Sequence, residues 1–447
     1  MKRTLAMFLA LILALSLVAC GGNNTTGNDT AGNNTTANDT TGNDAATDDT
    51  AGGEASTVAN ADKPLVWFNR QPSNSSTGEL DMAALSFNED TYYVGFDANQ
   101  GAELQGKMVL DYITKAIENG EKIDRNGDGV IGYVLAIGDK GHNDSIARTR
   151  GVRSALGTAV KDADGNIISE AVGTNVDGKS EYVQDGKLEI DGKTYTVREL
   201  ASQEMKNSAG ATWDGGTAGN AIDTWASAFG DQIDVVASNN DGMGMNMFLK
   251  WSQKNEVPTF GYDANSDAVK AIADGYGGTI SQHADVQAYL TLRVIRNALD
   301  GVDMDTGIGT EDAAGNVLSE DVYKYDAENR SYYALNVAVT AENYEEFLDS
   351  TVTWKPVSNK VSEETSPKKK VWLNIYNSAD NFLGSTYKPL LEKYDDLLNL
   401  DVEYIQGDGQ SENSVADRLT DPSAYDAFAI NMVKTDNAVT YTTKLAQ

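Results

Sequence analysis

Asp124-Arg125-Asn126-Gly127-Asp128-Gly129-Val130 sets oxygen-bearing side chains at alternate positions, with a glycine for a sharp turn and the Val130 carbonyl as a further ligand. This fits the first half of a calcium loop. A helix–loop–helix hand would close on a bidentate Glu at the twelfth place, where Leu135 stands, so another carboxylate must come from elsewhere. The alternative is an acidic surface turn; calcium is favoured because such groups repel one another unless a cation lies between them. Gly127 to Gly132 also spells G-x-G-x-x-G, but the loop precedes a strand and carries Asp128 inside it, so nucleotide binding is rejected.

A second group is polar and lies just after apolar runs. Gly141-His142-Asn143-Asp144-Ser145-Ile146-Ala147-Arg148 follows one run, with Asp144 and Arg148 four apart on one helix face. These donors and acceptors suit the vicinal hydroxyls of a sugar, Arg148 forking between neighbours; the plainer reading is an N-capping Asp and an exposed Arg. Asn240 follows the run at 233–238, and Asp263 the run at 259–262. Trp213, in a polar stretch, is either core or a flat face for the C–H side of a pyranose.

Such placement calls for a parallel sheet, whose ligand site lies beyond the carboxyl ends of its strands. Apolar runs at 65–68, 130–137, 233–238, 259–262, 371–375, 402–405 and 427–430 alternate with helical patterns at 104–117, 266–273 and 284–299. Residues 162–197 are rich in Asp-Gly turns and read as surface hairpins; 309–337 looks similar. Residues 355–370 carry little apolar content and read as a linker.

The chain has 447 residues, with 35 Lys and Arg against 67 Asp and Glu, a formal charge of −32. That length suggests two to three domains. The acid excess argues against nucleic acid and against an electrostatic hold on anionic lipid. Lys2 and Arg3 precede an apolar stretch that ends Leu17-Val18-Ala19-Cys20-Gly21, which resembles a bacterial lipobox. Residues 1–20 are expected to be a signal peptide and Cys20, the single cysteine, a lipidation site. Residues 21–62 repeat a Thr-Gly-Asn-Asp theme with almost nothing to bury, as a solvated tether would.

Taken jointly, DRNGDG, GDKGHNDSIARTRGV, ATWD, VVASNNDGMGM, VPTFGYDANSDAV and GGTISQ resemble the periplasmic galactose/glucose-binding proteins of the type I solute-binding family, in order and, apart from the hairpin insertions, in spacing. The segment opening such a protein looks like VWLNIYNSADNF, which here starts at Val371, whereas PLVWFNRQP, opening the folded part here, looks like the family's fourth strand. The resemblance therefore implies a circularly permuted α/β, two-lobed periplasmic-binding-protein-like type I fold, each lobe a parallel sheet flanked by helices. One lobe would comprise 63–117, 284–305 and 371–447. The other would comprise 118–283 and 306–354 with the calcium loop, and 355–370 would join the old termini.

The resemblance further implies that Asp380, Asn69, Asp144, Arg148, Asn240, Asp263 and His142 bond a monosaccharide, D-glucose or D-galactose, between Phe382 and Trp213. Gln282 stands where the family has Asn. Asp124, Asn126, Asp128 and the Val130 carbonyl match calcium ligands, while Gly132 replaces a Gln and Asp234 a bidentate Glu, implying weaker calcium binding or a water in the gap. Pro389 predicts a kink or break in its helix. The implied function is a lipid-anchored extracytoplasmic receptor, monomeric, delivering sugar to an ABC transporter permease; it is not an enzyme. The alternative is a sensor subunit for chemotaxis or a kinase. A glycoside hydrolase, using carboxylates among Asp144, Asp263 and Asp380, is the distant third.

Overall fold

The computed structural model describes residues 59–74, 80–167, 182–319, 321–348, 357–409 and 411–447. The signal segment, Cys20 and nearly all of the tether lie outside them, as do 168–181 of the expected hairpins and 355–356 of the expected linker. Among the described residues no helix is long and apolar enough to cross a membrane.

One sheet runs, in spatial order, β13 (Leu400–Gln406), β12 (Lys369–Ile375), β14 (Ala427–Ile430), β1 (Leu65–Asn69), β2 (Thr91–Phe96), β10 (Ser331–Ala334) and β9 (Tyr323–Asp326). All pair parallel except the β10–β9 edge. Both faces are covered, which is why the strands read as continuous apolar runs. Val66, Phe68, Val371 and Leu373 face one core; Leu65, Trp67 and Trp372 face the other. The first core is filled by α6 (Ala284–Asp300), buried from Ala284 through Asn297, and by α7 (Lys388–Leu397).

The second sheet runs β4 (Gly186–Ile190), β5 (Lys193–Glu204), β3 (Val130–Ile137), β6 (Val235–Ser238) and β7 (Thr259–Phe260). Ile131, Tyr133, Leu135 and Ile137 face the core beneath α1 (Ala98–Glu118) and α2 (Asn143–Ala155); Val134 and Ala136 face α3 (Gly215–Phe229) and α4 (Asp241–Met247). A short ribbon of β8 (Thr279–Ser281) and β11 (Val337–Val339) lies beside them, and α5 (Ser266–Ala271) follows β7.

Several expectations need correction. Residues 98–117 belong with the second sheet: Met108, Val109 and Ile113 fill its core, and a side chain on Gly106 would meet the Gly151 carbonyl at 2.2 Å, so α1 and α2 touch backbone to backbone. Residues 323–334 belong with the first sheet, because β10 pairs with β2. The strand at Thr91–Phe96 was not expected; its Tyr and Thr content hid a fully buried run. The Asp-Gly hairpin exists, Asp191 and Gly192 both taking positive φ between β4 and β5, but β5 is no surface piece. Its later half pairs with β3 and buries Val197, Leu200 and Ala201. The described part of the linker is packed, with Val357 and Val361 in the first core and Asn399 bonded to the Ser366 carbonyl. The break before Pro389 takes the form of a π-helical segment, Phe382–Tyr387, leading into α7.

Candidate functional site

Every residue implicated in sugar contact by the sequence lines one small pocket. Asn69, His142, Asp144, Arg148, Trp213, Asn240, Asp263, Gln282, Asp380 and Phe382 are joined there by Arg70, Tyr376 and Leu383. The pocket holds about 40 Å³ and adjoins a cleft of about 2160 Å³. Asn69, His142, Asp144, Trp213, Asn240 and Asp380 line both, so the small pocket is the floor of the cleft.

Strand ends explain the convergence. Asn69 closes β1 and Tyr376 follows β12; across the pocket, β3 leads to α2, β6 to Asn240, and β7 to Asp263. Two loops end in helix N-caps whose remaining polar atoms face the pocket. The His142 Nδ1 accepts from the Asp144 N–H at 3.1 Å, so the ring caps α2 with its other nitrogen left to donate. Burial first, then Arg70 and Arg148, push the His142 pKa well below its usual value and keep it neutral. The Asn240 Oδ1 accepts from the Met243 N–H at 2.9 Å, capping α4 and freeing its amide hydrogens.

Arg148 is the centre. It is 4% exposed, not the exposed arginine of the plainer reading. One amino group donates to the Asn239 carbonyl at 2.8 Å and to Asp263 at 3.4 Å; the other lies 3.5 Å from Asp144. Among the described residues its buried Nε–H finds no partner, which leaves a donor for a ligand. Asp263 also accepts from Gln282 at 2.9 Å, so the longer amide in place of Asn is used to hold a carboxylate. Burial raises the Asp263 pKa to about 7, against the pull of Arg148 and with help from Asp380 and Asp144. Burial likewise raises that of Asp380, whose Oδ1 accepts from the Leu383 N–H.

The backbone is strained where it meets the pocket. Asn69, Trp213 and Asp263 have φ of 60°, 61° and 104°, a region side chains other than glycine's rarely occupy. The Trp213 ring meets His142 edge-on at 5.5 Å and lies against Gly138, where a Cβ would strike the indole at 2.4 Å.

Arg70 and Tyr376 were missed. The Arg70 guanidinium stacks on the Tyr376 ring at 3.8 Å and donates to its hydroxyl at 3.0 Å. Both stand at carboxyl ends of strands, so the rule that selected Asn240 and Asp263 would have found them.

The acidic loop is built differently. Asp124 accepts from Gly127 and Gly129 N–H, Asp128 from Val130 N–H and the Asn126 amide. Asp234, 1% exposed, accepts from Arg125 N–H at 2.8 Å and Gly132 N–H at 2.7 Å, so it buckles the loop to its strand. Burial lifts its pKa to about 6. Among the described residues no group of three or more acidic, His or Cys side chains is gathered to hold a metal. In this conformation the oxygens serve the loop's own backbone.

A family model described as a periplasmic binding protein domain matches residues 60–303, and a second of the same description matches 368–438. The chain is 27% identical over 247 residues to the D-galactose/methyl-galactoside binding periplasmic protein MglB of Haemophilus influenzae, covering 55% of this chain and 59% of that one. It is 34% identical over 99 residues to a xylitol-binding protein of Mycolicibacterium smegmatis, covering 22% and 28%. The chain thus spans less than two thirds of the length of these two relatives. Among solved structures, an ABC transporter solute binding protein of Clostridium phytofermentans with bound β-D-glucose aligns at 16% identity and TM-score 0.37, covering 65% of this chain and 72% of that one. With the first model covering more than half of the sequence, the chain belongs to the periplasmic binding protein domain family and has its two-lobed α/β fold.

Proposed function

We propose that this chain is an extracytoplasmic monosaccharide receptor that binds D-glucose or D-galactose between its lobes and hands it to an ABC importer. The observation that carries this reading is the composition of one pocket. Carboxylates, amides and an arginine with an unpartnered Nε–H stand with the aromatic side chains of Trp213 and Phe382. Hydroxyls arrayed about a ring need many bidirectional partners, and its C–H faces need flat apolar ones. The galactose-binding relative supports the substrate class. The likeness to a sugar-binding relative supports reading the chain as a binding protein and not an enzyme. Binding would close the two lobes on the sugar. Anchoring through Cys20 belongs to the same proposal.

Circular permutation is a further part of the reading. Strands from the carboxyl end complete the sheet that β1 begins, and the Asn60 side chain bonds the Leu445 carbonyl at 2.8 Å, so the two ends of the folded part meet. Calcium remains a proposal for the acidic loop, where Asp124, Asn126, Asp128 and the Val130 carbonyl would hold the ion and stiffen the turn. Isothermal titration of the folded chain with a monosaccharide panel tests the functional reading. Binding of D-glucose or D-galactose is expected, and no heat with any aldohexose would refute it.

A further inference from the structure

Beneath Arg148 lies a residue that no sugar reaches. Tyr262, the residue before Asp263, is fully buried, and the Arg148 guanidinium sits over its ring at 3.5 Å from the centroid. The flat contact fixes the plane of the guanidinium. That plane decides where the unpartnered Nε–H and the two amino groups point.

The ring is itself held. Its hydroxyl donates to the Asn336 Oδ1 at 2.9 Å. Asn336 in turn donates to the Asp97 carbonyl at 2.9 Å and to the Gln100 Oε1 at 2.6 Å. Phe96 packs near it in a tilted arrangement, ring centroids 6.5 Å apart. Gly101 leaves the room: a Cβ there would stand 1.9 Å from the Tyr262 hydroxyl. Asp97 and Asn336 lie where the chain passes out of the first sheet, between β2 and α1 and between β10 and β11. One tyrosine therefore joins the face of the pocket arginine to two segments that cross between the lobes.

We propose that Tyr262 is a positioning residue for sugar binding: its ring holds the Arg148 guanidinium in the binding plane, and Asn336 anchors that ring to the crossing segments. The inference rests on the reading of this pocket as a monosaccharide site. A stack of this kind, out of water, contributes enough that its loss weakens binding about tenfold or more. The hydroxyl serves only as the anchor, so its loss alone has a smaller effect.

The test is calorimetric titration with D-glucose and D-galactose of the wild-type chain and of Tyr262→Met, Tyr262→Phe and Arg148→Lys, with melting temperature as the folding control. Tyr262→Met keeps bulk and removes the π face; Kd should rise about tenfold or more. Tyr262→Phe keeps the face and loses only the anchor, so Kd should rise about threefold, well short of Tyr262→Met. In the Arg148→Lys background, which has no planar group to orient, Tyr262→Met should cost less than threefold, a coupling that simple loss of core packing would not produce. Equal losses in both backgrounds, or an unchanged Kd for folded Tyr262→Met, would overturn the proposal. Should Tyr262→Met not fold, Asn336→Ala tests it from the anchor: about threefold weaker binding is expected, and an unchanged Kd overturns it. A wild-type chain that binds neither sugar removes the functional reading along with this inference; a wild-type chain that binds, with variants unaffected, removes this inference alone.

Discussion

The pocket and the acidic loop were both marked by their residue types, and they are assembled in opposite ways. The pocket draws Asn69, Arg148, Asp263 and Asp380 from across the chain, and it leaves polar atoms unspent, such as the Arg148 Nε–H. The loop draws Asp124, Asn126 and Asp128 from one short stretch and spends their oxygens on its own amides. The pocket keeps donors and acceptors in reserve at the cost of buried, uncompensated groups and positive φ, whereas the loop ties its side chains to its own backbone. The contrast is between side chains gathered from distant segments and side chains spaced along one.

The largest expected effect removes one half of the contrast altogether. Ending the chain after Lys370 deletes β12, β13 and β14, exposes an edge of β1 and removes Asp380 and Phe382. Circular dichroism and gel filtration should show loss of the folded, soluble protein, whereas a truncated chain that binds sugar normally would make the carboxyl segment an independent domain.

Next in size is Trp213→Ala. It strips an aromatic face that Gly138 and His142 hold in the cleft wall, and Kd for the bound hexose should rise tenfold or more. An unaltered Kd would place the indole outside the site.

The loop gives a smaller, separable effect. If it takes calcium, chelation should lower the melting temperature by a few degrees, and added calcium should restore it, since a ligand of the native state stabilises by mass action. Asp128→Ala should abolish that response and leave sugar affinity nearly unchanged. A melting temperature indifferent to chelator in a calcium-loaded preparation would leave the loop a self-satisfied turn.

The smallest effect is the pH dependence of the pocket. The Asp263 pKa rises on folding to about 7, so its contribution is fully present below the unfolded value of 3.8 and is lost as pH climbs through 7. The difference in melting temperature between wild type and Asp263→Asn should therefore shift in favour of the variant between pH 4 and 8. A constant difference would mean that the carboxyl is ionised throughout.

These outcomes bear on what a sequence exposes. The strands at Leu65–Asn69, Val130–Ile137 and Lys369–Ile375 were legible because sheets buried on both faces need unbroken apolar runs. Asn240 and Asp263 were legible because residues just past such runs collect at one sheet edge. His142, Asp144, Arg148 and Trp213 stood out by residue type and placement, whereas Asn69, Gln282, Asp380 and Phe382 came from the family resemblance. Thr91–Phe96 escaped because tyrosines and a threonine fill a strand whose burial depends on Tyr332 and α6 packing over it. Lobe membership of α1 was hidden as well: helical periodicity shows that a face is buried, not which sheet covers it, and the Gly106–Gly151 contact exists only in three dimensions. Arg70 and Tyr376 were within reach of the strand-end rule. Tyr262 was not, since a tyrosine inside a short apolar run looks like core until Arg148 is seen lying on it.

The central claim is that the pocket around Arg148 binds one monosaccharide. The most direct measurement is titration calorimetry of wild type and Arg148→Met against D-glucose and D-galactose. The account predicts one sugar per chain for wild type and a loss of two orders of magnitude or more for a variant that removes a buried, charge-assisted set of bonds while keeping its fold. Equal affinity in the two proteins would contradict it.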